Sequence, residues 1–190
     1  KKINGEIINA DSMQVYKELK ILTARPSKNE QKNIKHHLYG FQSVKKIFST
    51  GSWLKLTIKK IKEIQRKNKI PILVGGTGLY FKALTDGLVT IPNIPKKIRL
   101  QIRNLQKKIG QRKFYKMLVK FDPLSKSKIN SNDSQRTVRA YEIKKYTKKS
   151  LFEWFDKTKP NFQRNQFIKF YLDFPRSELI NRINKRVDKM

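Results

Sequence analysis

The sequence contains no cysteine, few acidic residues and no long apolar run. The absence of cysteine excludes a disulfide framework and any metal site built on thiolates. No apolar run approaches the roughly 20 residues that a membrane-spanning helix needs, and Lys1-Lys2 precedes alternating residues rather than the apolar core of a signal peptide. We therefore expect a cytoplasmic protein with no membrane partner. Because the chain starts without Met and ends inside a helical pattern, we also expect it to be incomplete.

The shortage of acidic residues leaves a large positive charge. Lys and Arg number 45 against 14 Asp and Glu among 190 residues, which gives a formal net charge of +31. A charge of this size favours a polyanionic partner, with nucleic acid first and an anionic membrane surface second. The alternative is a compositional origin, since an A/T-rich genome would raise Lys, Ile and Asn throughout a proteome.

The segment from Ile70 to Leu84 is the most informative stretch. The apolar run Ile70–Val74 is typical of a strand buried on both faces. Gly75-Gly76 predicts a turn with unusual backbone dihedral angles, and the apolar spacing that follows predicts a helix from Thr77 or Gly78. A strand, a glycine turn and a helix N-terminus together form an anion site, because free N–H groups point outward there. A plain connection without a ligand remains the alternative.

A second strand, predicted within residues 6–11, delivers Asp11 to its carboxyl end, where ligands bind in open α/β sheets. Asp11 or Ser12 could instead act only as a helix or turn cap. A helix that begins near Ser52 connects this region to Ile70–Val74, and the order strand, helix, strand predicts a parallel sheet. The pair His36-His37 has no Cys or carboxylate near it in sequence, so we expect a structural role rather than a metal site.

Three regions follow from these patterns. Residues 1–90 are expected to form an α/β core, residues 91–159 a very basic helical insert, and residues 160–190 a strand and helix that return to the core. We place the returning strand at Phe167–Phe174 and a cap of the last helix at Ser177. Within the insert, Arg136 and Arg139 are three residues apart on one helical face, and Arg182 and Arg186 are similarly spaced on the last helix.

Five stretches, in order along the chain, closely resemble the tRNA dimethylallyltransferase family. They are Gly5–Tyr16 (GEIINADSMQVY), Thr23–Pro26 (TARP), Val74–Tyr80 (VGGTGLY), Asn132–Ala140 (NDSQRTVRA) and Arg182–Arg186 (RINKR). The resemblance implies a P-loop-NTPase-like parallel sheet with an inserted basic helical subdomain. The family's P-loop, expected shortly before Gly5, and its C-terminal helical region have no counterpart here, so we expect this chain alone to be inactive.

The resemblance also implies a reaction and its residues. The family transfers a dimethylallyl group from dimethylallyl diphosphate to the N6 amine of the adenine adjacent to the anticodon of tRNA. The implied catalytic residues are Asp11, as general base, and Thr77. The implied tRNA-binding residues are Asp11, Ser12, Met13, Gln14, Thr77, Arg99, Gln135, Arg136, Thr137, Val138 and Arg139. The implied diphosphate contacts are Thr77, Arg182 and Arg186.

The implied partners are the tRNA anticodon stem-loop and dimethylallyl diphosphate, for a chain that we expect to be monomeric. The resemblance implies Mg²⁺ as cofactor, with its ligand in the missing P-loop and none in this chain. Two other functions remain open at this stage, a P-loop-type small-molecule kinase and a non-catalytic basic RNA-binding protein. A kinase would not need the basic insert. A protein that binds RNA through its charge alone would not need Asp11 or Gly75-Gly76. The arginines could also be ordinary solvated charges.

Overall fold

The computed structural model describes residues 3–188, which divide into two compact units. The sheet unit comprises the residues up to Gly87 together with those from Pro160 onward, and the helical unit is Leu88–Lys159. Within the described residues, no helix combines the length and the apolar character needed to cross a bilayer.

The sheet unit contains three strands and three helices before Gly87. The strands are β1 (Gly5–Asn9), β2 (His36–His37) and β3 (Ile70–Val74), and the helices are α1 (Lys28–Gln31), α2 (Thr50–Gln65) and α3 (Gly78–Thr85). The strand order among the described residues is β2-β1-β3, and both pairings are parallel. The predicted α/β class with a parallel sheet is therefore confirmed.

The core of the sheet unit lies between the central strand and α2. One face of α2 is buried through Trp53, Leu54, Thr57, Ile61 and Ile64, as its helical spacing predicts. The N-cap of α2 is Ser49 rather than Ser52, and the Ser49 side chain accepts a hydrogen bond from the Ser52 N–H. Strand β1 is buried, but β3 pairs only with β1 in the described residues and has exposed ends. The expectation that β3 is buried on both faces is therefore wrong for this part of the chain.

A buried carboxylate on β1 joins three segments of the sheet unit. Glu6 is 2% exposed, and its Oε1 lies 2.9 Å from Lys69 Nζ while its Oε2 lies 2.7 Å from His37 Nε2. The hydrogen bond from Lys69 and then that from His37 lower the pKa of Glu6 from 4.5 to about 2, although burial opposes the shift. His37 thus has a carboxylate partner that is distant in sequence. The contact between His37 and Glu6 is structural, as we expected for this histidine.

We expect Glu6 to make the fold sensitive to acid. Because its pKa is lowered in the folded state, its stabilising effect is complete above pH 4.5 and is lost as the pH falls towards about 2. Glu6→Gln should destabilise the protein by about 1–3 kcal/mol at pH 7, since a buried hydrogen-bonded group loses its charge. It should also flatten the loss of stability between pH 4.5 and 3, measured by urea unfolding. Glu63→Gln, which affects a more exposed pair with Lys60, is the control. Equal acid sensitivity in wild type and Glu6→Gln would contradict this role.

The helical unit is built from four helices joined by short connections. They are α4 (Lys96–Ile109), α5 (Gln111–Phe121), α6 (Ser134–Thr147) and α7 (Leu151–Phe155), with a 3-10 turn at Pro123–Ser125. Helix α6 packs against α4, α5 and α7. Its N-cap is Asp133, whose side chain accepts from the Arg136 N–H, and α7 starts with a capping box of Ser150 and Glu153. The core residues of this unit include Leu118, Ile129, Ala140 and Phe152.

Between residues 160 and 188, the last segment contains no strand. A 3-10 turn spans Arg164–Gln166 and α8 spans Arg176–Val187, whereas the intervening residues have no regular structure. The strand predicted at Phe167–Phe174 is therefore wrong, because a strand needs a neighbour for its backbone groups and no strand of the described sheet pairs with this segment. Its apolar side chains, such as Phe170 and Tyr171, are nearly fully exposed. The predicted cap at Ser177 is also wrong, since α8 begins one residue earlier, after Pro175.

Candidate functional site

Two loops meet at the carboxyl ends of β1 and β3. The strands are in register up to Asn9 and Val74, so the residues that follow leave the sheet side by side. The Ala10 N–H donates to the Val74 carbonyl at 2.8 Å, and the Thr77 N–H donates to the Ala10 carbonyl at 3.2 Å. The Ser12 N–H then donates to Thr77 Oγ1 at 2.9 Å. The structure therefore brings together the Asp11 loop and Thr77, which are 66 positions apart in sequence but adjacent in the fold.

Gly75 is required at this junction by close packing rather than by its dihedral angles. Neither Gly75 nor Gly76 has a positive φ, so the predicted unusual backbone conformation is not observed. A Cβ on Gly75 would overlap the carbonyl group of Ala10 and would lie 2.6 Å from the Asp11 nitrogen. A Cβ on Gly76 would meet nothing within 4 Å. Gly75 thus lets the two loops touch, whereas Gly76 faces open space.

The carboxylate of Asp11 uses one oxygen to shape its own loop. Oδ1 accepts from the Met13 N–H at 2.7 Å and from the Gln14 N–H at 3.2 Å. This is the capping geometry that we considered as an alternative role. No described residue makes a hydrogen bond to Oδ2, which leaves that oxygen able to accept a proton. The two roles are therefore compatible, because each uses a different oxygen of the same group.

The side chain of Asn9 makes two hydrogen bonds to the backbone of Asp11, a role that the sequence analysis missed. Asn9 is fully buried, and its Oδ1 accepts from the Asp11 N–H at 2.9 Å. Its Nδ2 donates to the carbonyls of Asp11 and Leu38, both at 3.0 Å. The Asn9 carbonyl accepts from Trp53 Nε1 at 2.8 Å. The available signal was an amide side chain at the end of the strand, two positions before Asp11.

Tyrosines that the sequence analysis did not select lie around Asp11. Tyr80 is 3% exposed and stacks on Trp53 with ring centroids 4.2 Å apart. Burial, the neighbouring Tyr16 and the charge of Asp11 raise the pKa of Tyr80 to about 12. Burial and Asp11 also raise the pKa of Tyr39. Both hydroxyls therefore stay protonated at neutral pH and add no negative charge near Asp11.

The other predicted residues of the Asp11 loop have different environments. Gln14 donates from Nε2 to the Thr23 carbonyl at 2.9 Å, so its side chain ties the loop to the Thr23–Pro26 stretch. In the same stretch, Arg25 Nη1 donates to the Tyr16 carbonyl at 3.0 Å. Met13 is about half exposed. Of these side chains, Met13 is the one that is open to solvent.

Helix α3 begins directly after the junction. Thr77 occupies the N-cap position but makes no side-chain cap bond, since its Oγ1 accepts from Ser12 instead. The first N–H groups of a helix have no partner within the helix. Together with Thr77 Oγ1, they form the polar edge at which the sequence predicted an anion.

Arg182 and Arg186 contact other residues of the sheet unit. Arg186 Nη2 donates to the Leu22 carbonyl at 3.1 Å, and the Arg182 guanidinium lies 4.3 Å from the centroid of the Phe174 ring. Within the described residues, neither arginine makes a hydrogen bond or ion pair with Asp11 or Thr77. Their predicted contact with diphosphate stays a prediction.

The remaining predicted residues lie in the helical unit, on α4 and α6. Arg136 is 76% exposed and pairs with Asp133 at 3.0 Å. Thr137 is fully buried, donates to the Asp133 carbonyl and accepts from Gln111 Nε2 at 3.1 Å, so its side chain stabilises the helix start. Gln135, Val138 and Arg139 line a cleft between α4 and α6. Arg99, on α4, is partly buried.

The sequence of this chain is similar to those of known proteins. A family described as "IPP transferase" matches residues 14–190. A tRNA dimethylallyltransferase of Pelagibacter ubique (strain HTCC1062) is 62% identical over 190 residues, which cover the whole of this chain and 61% of that protein. The corresponding enzyme of Rickettsia conorii is 47% identical and is covered over 53% of its length, again by the whole of this chain. The chain therefore spans little more than half the length of these relatives.

Solved structures show the same similarity. A eukaryotic dimethylallyltransferase acting on tRNA matches 99% of this chain with a TM-score of 0.83 and 31% identity, over 46% of its own length. A full-length tRNA isopentenylpyrophosphate transferase of Bacillus halodurans matches 99% of this chain with a TM-score of 0.59 and 31% identity, over 58% of its length. These structures support the P-loop-NTPase-like class predicted for the sheet.

Proposed function

Because the chain belongs to the IPP transferase family, we propose that it carries out part of a tRNA prenylation. The reaction is transfer of a dimethylallyl group from dimethylallyl diphosphate to the exocyclic N6 amine of the adenine beside the anticodon of tRNA. The proposal includes a cytoplasmic location, where the tRNA substrate is found. The single observation that carries it is the hydrogen bond from the Ser12 N–H to Thr77 Oγ1. That bond joins the loop that carries Asp11 to the start of α3, where we propose that the diphosphate binds.

Asp11 supplies the base in this proposal. The lone pair of an exocyclic adenine amine is delocalised into the ring, so the amine is a weak nucleophile. As its nitrogen forms a bond to the first carbon of the dimethylallyl group, the carbon–oxygen bond to diphosphate breaks and the nitrogen loses a proton. Asp11 Oδ2 accepts that proton, while Oδ1 stays bonded to the loop. A positioned general base typically contributes 10²–10⁴-fold.

The departing diphosphate takes the electron pair of the broken bond and gains negative charge. Donors already aimed at that charge lower the barrier without reorganising. Thr77 and the first N–H groups of α3 are the donors that lie beside the Asp11 loop. The protonated hydroxyls of Tyr39 and Tyr80 add no competing charge near Asp11. We keep Arg182 and Arg186 as proposed contacts of the diphosphate.

The helical unit supplies RNA binding in this proposal. Gln135, Arg136 and Arg139 lie on α6 with their side chains at least partly open to solvent. Arginine donates bidentate hydrogen bonds that match the oxygens of a phosphate. The target adenine has to leave its stack to reach a base such as Asp11, as is general for enzymes that modify bases.

The proposed divalent cation is Mg²⁺. Within residues 3–188, His, Asp and Glu side chains form no group of three that could hold a metal ion. Mg²⁺ is commonly held by one or two carboxylates and by the phosphates of its substrate, and it would neutralise diphosphate charge when bound. We assign no metal ligand in this chain.

The two alternative functions have less support. A small-molecule kinase does not require the arginines of α6, and a non-catalytic RNA binder does not require the junction of Asp11 with Thr77. Family membership favours neither alternative.

The experiment is single-turnover transfer of a labelled dimethylallyl group to tRNA by a full-length enzyme that contains this chain. The label should appear on one adenine next to the anticodon and should require the diphosphate substrate. Transfer of a phosphoryl group from ATP to a small molecule, without labelling of tRNA, would support the kinase instead.

A further inference from the structure

The cleft between α4 and α6 contains polar residues that the proposed function has not used. Its volume is about 370 Å³, ample for a phosphate group. Arg103 and Gln106 line it from α4, and Arg139 and Glu142 line it from α6. All of these residues belong to the helical unit, so the cleft lies within a single compact unit.

The cleft has more cations than anions. Two of its lining residues, Arg103 and Arg139, are cationic, and one, Glu142, is anionic. The charge of a third arginine, Arg99, also acts on Arg139. Burial and repulsion from Arg99 lower the pKa of Arg139, with a further contribution from Arg103, whereas Glu142 acts against the shift. The Nε atom of Arg99 is buried and has no hydrogen-bond partner among the described residues. An anion bound in the cleft would offset the repulsion between the guanidinium groups of Arg103 and Arg139.

Glu142 connects the two helices through its two oxygens. It is 1% exposed, with Oε1 lying 3.3 Å from Arg103 Nε and Oε2 lying 3.7 Å from Arg139 Nη1. A buried carboxylate is costly unless it is paired, so its two oxygens constrain where both guanidinium groups lie. Arg103 uses only Nε for this contact, and its other N–H groups have no partner within the described residues. Those groups remain available to a ligand.

We propose that this cleft binds a backbone phosphate of RNA, with Arg103 as an additional contact and Glu142 as a positioning residue. Arg103 and Arg139 donate to the phosphate oxygens, and Glu142 holds their guanidinium groups in place without touching the RNA. The inference rests on the proposed function, since that function supplies RNA as the polyanion. It adds two residues, one cationic and one acidic, which the motif of α6 did not indicate.

The first test replaces Arg103, which is 59% exposed, with glutamine, because the glutamine amide can still donate a hydrogen bond to the buried Glu142 carboxylate. Binding of the chain to an anticodon stem-loop RNA is titrated at several salt concentrations. Arg103→Gln should weaken binding about fivefold at 0.15 M salt and reduce the salt slope by about one unit, as expected for one lost phosphate contact. Arg112→Gln is the control, because Arg112 is an exposed arginine of the same unit whose side chain makes no hydrogen bond or ion pair in the described residues. Equal effects of the two variants would overturn the contact.

The second test asks whether Glu142→Gln weakens or tightens RNA binding. Removing a negative charge from an RNA-binding protein should tighten binding if only net charge matters. A positioning role predicts the opposite, so Glu142→Gln should weaken binding about as much as Arg103→Gln. Asp156→Asn removes an exposed negative charge from the same unit and should leave binding unchanged or slightly tighter. Tighter or unchanged binding by Glu142→Gln would overturn the positioning role.

Melting curves accompany both tests. If Glu142→Gln does not fold, Arg103→Gln and its control decide whether the cleft binds RNA. Absence of RNA binding by both the chain and the full-length enzyme that contains it would contradict the proposed function itself. Retained RNA binding with no specific effect of Arg103→Gln would reject only the cleft.

Discussion

Replacing Asp11 with asparagine should reduce prenyl transfer by about 10²–10⁴-fold while leaving the fold intact. Asparagine keeps an oxygen in the place of Oδ1, which accepts from the N–H groups of Met13 and Gln14. It cannot accept the proton of the amine, so the base is lost and the loop is kept. The loss should appear in kcat and kcat/KM alike, with little change in KM or in tRNA affinity. Single-turnover transfer by a full-length enzyme containing this chain measures it.

Asp11→Ala is the matched variant, because it removes both oxygens. It should lose the same rate and, in addition, about 0.5–2 kcal/mol of stability, the usual effect of removing a cap. A melting curve distinguishes the two variants. Near-normal transfer by Asp11→Asn would show that Asp11 is a loop cap alone, and the proposed mechanism would then have no base.

The second large effect is expected at Gly75. A Cβ there would overlap the carbonyl of Ala10 and crowd the Asp11 nitrogen, and both are backbone atoms that cannot rotate away. Gly75→Ala should therefore push the two loops apart and cost about 1–3 kcal/mol. It should also slow transfer by about 10²-fold, because a displacement of about 1 Å between reacting groups has an effect of that size.

Gly76→Ala is the control for this prediction. Gly76 has open space around its missing side chain and no positive φ, so the change should lie within about 0.5 kcal/mol and leave transfer nearly normal. Unfolding curves and the transfer assay are run on both variants. If the two alanine variants behave alike, close packing is not the reason for glycine at position 75.

Much of the candidate site was predictable because it depends on short stretches of sequence. An apolar run that ends in Gly75-Gly76-Thr77 specifies a strand, a turn and a helix start by local rules, and α3 begins at Gly78 as expected. The order strand, helix, strand likewise predicted the parallel pairing of β1 with β3. The caps at Asp133 and Ser150 also act within a few residues of the chain, because each accepts a hydrogen bond from the first turn of its own helix.

Predictions failed where a partner distant in sequence decides the outcome. The apolar segment at Phe167–Phe174 had strand-like composition, but composition cannot supply a neighbouring strand. The sequence around His37 contains no carboxylate, yet Glu6 lies 2.7 Å away across the sheet. The reason for glycine at position 75 could not be predicted from the sequence either, since it depends on the approach of Ala10 and Asp11 from another loop.

The sequence alone therefore determined the α/β class and the family resemblance, and it selected Asp11, Thr77, Arg136 and Arg139 as candidate residues. These follow from hydrophobic periodicity, turn chemistry and motif order, all of which are local in the chain. Only the tertiary structure decided that Ser12 bonds to Thr77, that Asn9 supports Asp11 and that Glu142 joins Arg103 to Arg139. The physical reason is that hydrogen bonds and ion pairs act over about 3–4 Å. Residues far apart in sequence come within that range only when the chain is folded.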